Sequence, residues 1–171
     1  MNASPPKPPA MEKIEKREFV QSIAMLWKEN KRRELLYIRV MKNDHLGHFR
    51  RLCNQGHITA LLFQKEIQWI YDYFKCNLSD SDLRVAFEHT PHGQSTEFDG
   101  TEDNSTLVRL IKEVELTTIR GYQSVIRFVN PEGEVYDILR DHLDRITQLC
   151  GEFGREVNLY PKTRTYSTVY S

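Results

Sequence analysis

His45, His48, Cys53 and His57 lie in the order H-x2-H-x4-C-x3-H, four nitrogen or sulfur donors within thirteen positions. Such donors at such spacing can close a tetrahedron around zinc. Three histidines with one cysteine is an unusual ligand set, and no second cysteine pair accompanies it. Leu46, Phe49 and Leu52, which separate the donors, read instead as a core stripe, so no metal is assigned. His89 and His92, on either side of Thr90-Pro91, form a weaker pair still. There is no G-x-S-x-G elbow for a nucleophilic serine, and no cysteine has a partner histidine at a family spacing. The 8 glycines form neither a P-loop nor a dinucleotide fingerprint. Asp137, Arg140, Asp141, Asp144 and Arg145 fall at i,i+3 and i,i+4, the spacing of surface ion pairs on a helix. No catalytic residue and no cofactor is assigned, and the reading leans away from an enzyme.

The charge pattern offers a second chemistry. The formal net charge is +0, so no global field favours nucleic acid or membrane. Locally, residues 28–51 hold eight basic side chains against three acids, whereas 79–103 hold seven acids and only Arg84. A solvated helix face explains such a run most simply. If phosphate is bound anywhere, the residues to do it are Arg32, Arg33, Arg39, Arg50 and Arg51, with Tyr122 as a stacking aromatic; these form the candidate nucleotide- or RNA-binding set. A candidate partner-binding set, Thr165, Tyr166, Val169 and Tyr170, comes from the β-prone alternation of the last residues.

Cys53, Cys76 and Cys150 are odd in number and widely spaced, unlike a secreted disulfide framework. No apolar run approaches the ~18 residues of a membrane span, and the N-terminus lacks a secretory pattern. The expected setting is intracellular, cytoplasmic or nuclear, with no membrane partner.

The elements that must position these residues begin with a helix over 12–29, in which Phe19, Ile23, Leu26 and Trp27 share a stripe. Glu34 to Met41 is too short and evenly apolar for periodicity to separate strand from helix, with helix preferred. Asp44 can cap a short helix through Cys53 that Gly56 ends. Ile58 to Phe63 reads as a buried strand. A helix follows from Lys65, carrying Ile67, Ile70, Tyr71 and Phe74 with Trp69 and Tyr73 beside them; it is apolar on most of its circumference and is expected to lie against the sheet and a further surface too. Ser79 with Asp82 resembles a capping box that starts a short helix or turn through Leu83, Ala86 and Phe87, a stretch that fits a strand equally well, and Leu107 to Leu116 is helix or strand. Tyr122 to Val129 is apolar on both alternate faces, and Asn130-Pro131-Glu132-Gly133 reads as the turn joining it to Glu134-Val135-Tyr136 in a hairpin. A helix from Asp137 or Asp141 carries Leu139, Leu143, Ile146 and Leu149 up to Gly151 and Gly154, and Val157 to Tyr160 suggests a last strand.

The predicted class is α+β, with a mixed β-sheet of about four or five strands flanked by helices and a helical N-terminal region. Residues 1–10 form a disordered Pro-rich leader and 11–162 a single domain with a mobile insertion at 90–103. Residues 163–171 form a C-terminal tail or edge strand.

Gly121-Tyr122-Gln123-Ser124-Val125, the Val135 strand and Tyr160-Pro161-Lys162 resemble the C-terminal half of RelA/SpoT-type alarmone synthetases, with their G-Y-x-S-[IVL]-H strand, V-E-[IV]-Q strand and closing Y-K. Gly56 to Phe63 is similar to that family's D-x-x-G-x-R strand. The resemblance covers about 53–162 and implies a nucleotidyltransferase-like fold in which Tyr122 stacks on a guanine base. Cys53, Tyr136 and Ile126 stand where the family has its Asp, Glu and His. A site lacking its Mg²⁺ carboxylates cannot compensate triphosphate charge, so the resemblance implies a degenerate, noncatalytic copy. Arg120-Gly121-Tyr122 and Leu36-Tyr37-Ile38 also resemble the RNP strands of an RNA-recognition motif, although Ser124 replaces the second stacking aromatic.

The expected function is a noncatalytic protein-interaction or scaffold module, a pseudoenzyme derived from that fold, with a protein partner or self-association. The alternatives are nucleic-acid or nucleotide binding through residues 28–51 and Tyr122, and an active pyrophosphotransferase with rearranged residues.

Overall fold

The computed structural model describes residues 13–76, 78–81 and 103–159. Four long helices dominate them: α1 (Lys13–Met41), α2 (Phe49–Lys75), α3 (Asn104–Ile126) and α4 (Glu134–Leu159). Among the described residues there is no strand. The α+β expectation is thus overturned in favour of a helical bundle.

The inward residues explain why. On α1 they are Phe19, Ile23, Leu26, Asn30, Arg33, Tyr37 and Val40, and on α2 Phe49, Cys53, Gly56, Ala60, Phe63, Ile67 and Ile70. Both series advance by alternating steps of four and three, the spacing that keeps one seam of a helix facing its neighbours. α4 does the same through Leu139, His142, Ile146, Leu149 and Phe153. α1 packs on α2 and α3, and α4 on α3 and α2. Contacts Asn30–Tyr122 and Arg33–Glu115 run in opposite chain directions, as do Glu66–His142 and the Ile58–Leu149 groove, so each of these neighbouring pairs is antiparallel. α2 therefore ends at the opposite end of the bundle from the start of α3, where Asn104 Nδ2 donates to the His45 carbonyl at 2.8 Å. This is a bundle with one long crossover.

Each strand expected within the described residues fails for a readable reason. Ile58 to Phe63 lies in mid-α2, where Ala60 and Phe63 turn inward while Ile58, Leu61 and Leu62 face solvent. The expected hairpin at 120–136 is the end of α3, a short connection and the first turn of α4. Tyr122, Val125, Ile126 and Val129 are spaced three, four and seven apart, so an apolar run that fits a two-faced strand fits a helical stripe equally well. Val157 and Leu159 end α4. Gly56 does not terminate a helix but sits inside α2, and Gly47, with φ +54, supplies the left-handed residue between α1 and α2. Arg50 ties that connection down by donating to the Met41 and Asn43 carbonyls at 3.1 and 2.9 Å. Asp103 caps α3 by accepting from the Thr106 amide at 2.8 Å. The leader 1–10, the insertion 90–103 up to residue 102, the Leu83 to Phe87 segment and the tail 163–171 lie outside the described residues.

Candidate functional site

Two apolar clusters fill the bundle. One gathers Leu36, Phe49, Leu52, Ile111 and Phe153, the other Ile23, Leu26, Ile67, Val125 and Leu139. Between them lies a layer of buried polar side chains drawn from all four helices. Arg33 on α1 donates to Glu115 on α3 through Nε to Oε2 at 2.7 Å and Nη2 to Oε1 at 3.1 Å. Its Nη1 donates to Asn30 Oδ1 at 2.8 Å, and Nη2 also reaches Thr59 Oγ1 of α2 at 3.4 Å. Tyr37 OH donates a short hydrogen bond to Glu115 Oε1. The Asn30 amide donates to the Leu26 carbonyl and to the Tyr122 hydroxyl, each at 2.9 Å. Tyr122 OH lies 2.9 Å from His142 Nδ1, and His142 Nε2 lies 2.6 Å from Glu66 Oε2.

One proton assignment satisfies the entire chain. With the amide N–H groups of Asn30 fixed as donors, the Tyr122 oxygen accepts and its O–H points at Nδ1. A neutral His142 then donates from Nε2 to the Glu66 carboxylate. The ring of Phe63 lies against the imidazole at 3.8 Å and 14°, and beneath the Arg33 guanidinium at 5.7 Å. Arg33, Asn30, Tyr37, Glu115, Tyr122 and His142 are buried, whereas Glu66 is 52% exposed and forms the surface end.

The electrostatics follow from this geometry. Burial opposes the Arg33 charge, yet the Glu115 carboxylate and the neighbouring tyrosine hydroxyls outweigh it and hold the guanidinium above its ordinary value. Burial, reinforced by Glu115, pushes the Tyr37 hydroxyl far up, and burial likewise raises Tyr122. His142 is lowered, because burial outweighs the pull of Glu66. Near neutral pH Arg33 is thereby kept charged, the two tyrosines protonated and His142 neutral.

The sequence-predicted residues are scattered by comparison. Arg33 and Tyr122 belong to this sealed layer, with their polar atoms turned to each other's partners. Arg32 is partly buried near Glu29, Arg39 and Arg51 are exposed, and Arg50 is spent on the Met41 and Asn43 carbonyls. Thr165, Tyr166, Val169 and Tyr170 lie outside the described residues. The His/Cys set does not converge either: His45 and His48 are exposed, His57 stands near Glu34, and Cys53 is buried in the apolar core. Among the described residues no group of three or more His, Cys, Asp or Glu could hold a metal ion. No helix among them is long and apolar enough to cross a membrane.

The chain matches no family model, no curated protein and no solved structure. These comparisons neither support nor refute the RelA/SpoT-type resemblance; of its quoted segments, 56–63 lies on α2, 121–125 on α3 and Val135 in the first turn of α4, while Tyr160-Pro161-Lys162 lies outside the described residues.

A second feature bears on the helix whose apolar circumference the sequence shows from Lys65 onward. The outward face of α2 is apolar: Ile58 is 48% exposed, Leu62 46%, Trp69 48% and Tyr73 62%, with Leu61 at its edge. Trp69 and Tyr73 stack at 6.2 Å, and both line a depression at the bundle end with Phe19, Phe74 and Phe128. At the other end, Ile58 and Leu62 line the groove between α2 and α4 with Arg51, Arg145 and Leu149. The signal was present in the sequence. α2 carries apolar residues around most of its circumference, which a helix with one buried face does not need.

Proposed function

We propose that this chain is a noncatalytic protein-interaction module whose recognition surface is the outward face of α2. The observation that carries this reading is the run Ile58, Leu62, Trp69 and Tyr73, four large apolar side chains in line along a helix whose opposite face is already buried in the bundle. Contiguous exposed apolar surface of this kind marks protein contact sites, and tryptophan and tyrosine are the side chains that most often dominate them. The noncatalytic half of the reading is supported by the polar layer. Arg33, Glu115, Tyr37, Tyr122 and His142 are the groups best suited to move protons or hold anions, and they are buried and satisfied by one another.

The test uses the full chain carrying a photoreactive aromatic at position 69 or 73, with exposed Arg140 on α4 as the control position. The expected result is a covalent protein adduct of one defined mass from 69 and 73, abolished by Leu62→Glu and absent from position 140. Adducts that form equally from all three positions, or from none, overturn the reading. So does transfer of a pyrophosphoryl group when the purified chain is incubated with ATP, GDP and Mg²⁺.

A further inference from the structure

We infer that the partner on the outward face of α2 is a second copy of this chain, docked antiparallel across a twofold axis that passes between Lys65 and Glu66. The inference rests on the reading that this face is a docking surface, and it names the occupant.

The argument is one of self-complementarity. The exposed apolar residues of the face stand at 58, 62, 69 and 73, with steps of four, seven and four. That series reads the same in either chain direction. An isologous twofold contact demands this property, since each residue must meet in the other copy the residue reflected through the axis. With the axis between 65 and 66, Ile58 meets Tyr73 of the other copy and Leu62 meets Trp69. In each of the four contacts an aliphatic side chain faces an aromatic one, so bulk is matched against slimness along the seam. At the centre, Lys65 of each copy lies beside Glu66 of the other, and the two opposite charges occur twice by symmetry. Shifting the register by four residues brings Lys65 against Leu62 or Glu66 against Trp69 and loses both the charge match and two apolar pairs.

Two further observations fit this occupant. The outer seam repeats the steps of four and three through Ile58, Leu62, Lys65 and Trp69, the spacing that one antiparallel helix needs to lie along another. The stacking of Trp69 on Tyr73 holds both rings as one ledge before any partner arrives, which lowers the ordering cost of docking. From 58 to 73 the seam is about 22 Å long at 1.5 Å per residue. A single helix pair of that length buries less than the roughly 800 Å² per partner of a standard interface, so dissociation in the micromolar range is expected.

Sedimentation equilibrium of the purified full chain, from low to high micromolar, tests this. A monomer–dimer equilibrium is expected, with Leu62→Glu shifting it to monomer while the circular dichroism spectrum stays helical. The register is tested by charge. Lys65→Glu should weaken the dimer about tenfold, since it places two like-charged pairs at the axis, and Lys65→Met, which removes the attraction without adding repulsion and leaves Glu66 on His142, should weaken it about threefold. Independently, Lys65→Cys in a Cys76→Ser background should give a disulfide-linked dimer on mild oxidation, whereas Arg140→Cys in that background should not. A chain that is monomeric throughout, or a dimer indifferent to Leu62→Glu and to both charge changes, overturns the inference. A monomeric chain that still gives the position-69 adduct with a different protein overturns the self-pairing alone and leaves the docking face standing.

Discussion

Arg33 and Glu115 meet as a two-point pair, Nε to Oε2 at 2.7 Å and Nη2 to Oε1 at 3.1 Å, with side chains that are 0% and 1% exposed. Removing either charge strands the other in the bundle interior. Arg33→Met or Glu115→Leu alone should therefore cost about 3–5 kcal/mol. The double variant replaces the pair by apolar groups of similar volume and should lie far closer to the parent than the sum of the two, because the desolvation of both ions is no longer required. Urea unfolding of the four proteins gives the cycle. Additive losses would mean that the two groups do not depend on each other.

That same pair shows how far the sequence could be read. The α1 stripe was legible through Phe19, Ile23 and Leu26, because all three are apolar. It continues inward through Asn30 and Arg33, whose polarity breaks the hydrophobic pattern although their spacing does not. Arg33 consequently reads as one of the solvated arginines around it, and Tyr122 as part of a strand. A polar residue on an otherwise uninterrupted core seam is a sign that a buried partner exists on another helix, but no single sequence names that partner. Glu115, Asn30 and His142 went unnoticed for this reason. The strands expected at 58–63 and 122–129 failed differently. A short apolar run carries no period of its own, and α2 and α3 are apolar beyond what burial within one bundle requires.

Among the described glycines, Gly56 lies nearest to a neighbouring side chain. A Cβ built there would stand 2.2 Å from Cζ and 2.6 Å from the hydroxyl oxygen of Tyr37. Gly56→Ala would ordinarily favour a helix interior, yet here it must displace the ring and with it the hydrogen bond to Glu115. The expected outcome is a loss of roughly 1–3 kcal/mol despite the better helix propensity. Tyr37→Leu in the same background should cost less than it does alone, since the clash is relieved, and thermal unfolding of the pair distinguishes this from simple addition.

The three cysteines differ sharply in their surroundings. Cys76 is exposed, whereas burial pushes the Cys53 thiol up to about 12 against a weaker opposing pull from Arg50, and burial raises Cys150 too. The thiolate is the reactive form, so native-state alkylation at mildly alkaline pH should modify Cys76 first. Modification of Cys53 should be about a hundredfold slower or more, limited by opening of the bundle. Peptide mass spectrometry after timed iodoacetamide quenches reads both. Equal rates at Cys53 and Cys76 would contradict the burial of Cys53 in the apolar cluster that also holds Tyr37.

His142 links stability to pH in a definite direction. In the unfolded chain its imidazole titrates near about 6.5, whereas in the bundle burial lowers it despite the Glu66 carboxylate. Between those two values the unfolded chain holds a proton that the folded chain does not. Stability is thus intact above about pH 6.5 and falls as the pH drops below it, by up to about 1.4 kcal/mol per pH unit for this one group. The groups acting on the imidazole are Glu66, whose carboxylate accepts from Nε2, the neighbouring Asp141, which adds a weaker pull toward the charged form, and the Tyr122 hydroxyl, which burial keeps protonated throughout this range. Arg33, beyond Asn30, remains charged and opposes a second positive charge nearby. Protonation at Nδ1 would in addition remove the acceptor that the Tyr122 O–H uses, forcing that hydroxyl to turn away from the imidazole. Denaturant unfolding at about pH 7.5 and about pH 5.5 should therefore show a loss in the parent that is reduced in His142→Gln, whose amide keeps a donor and an acceptor but does not titrate. If the parent and His142→Gln lose stability equally over that interval, His142 is not neutral in the folded bundle, and the single proton assignment running from Asn30 to Glu66 is wrong.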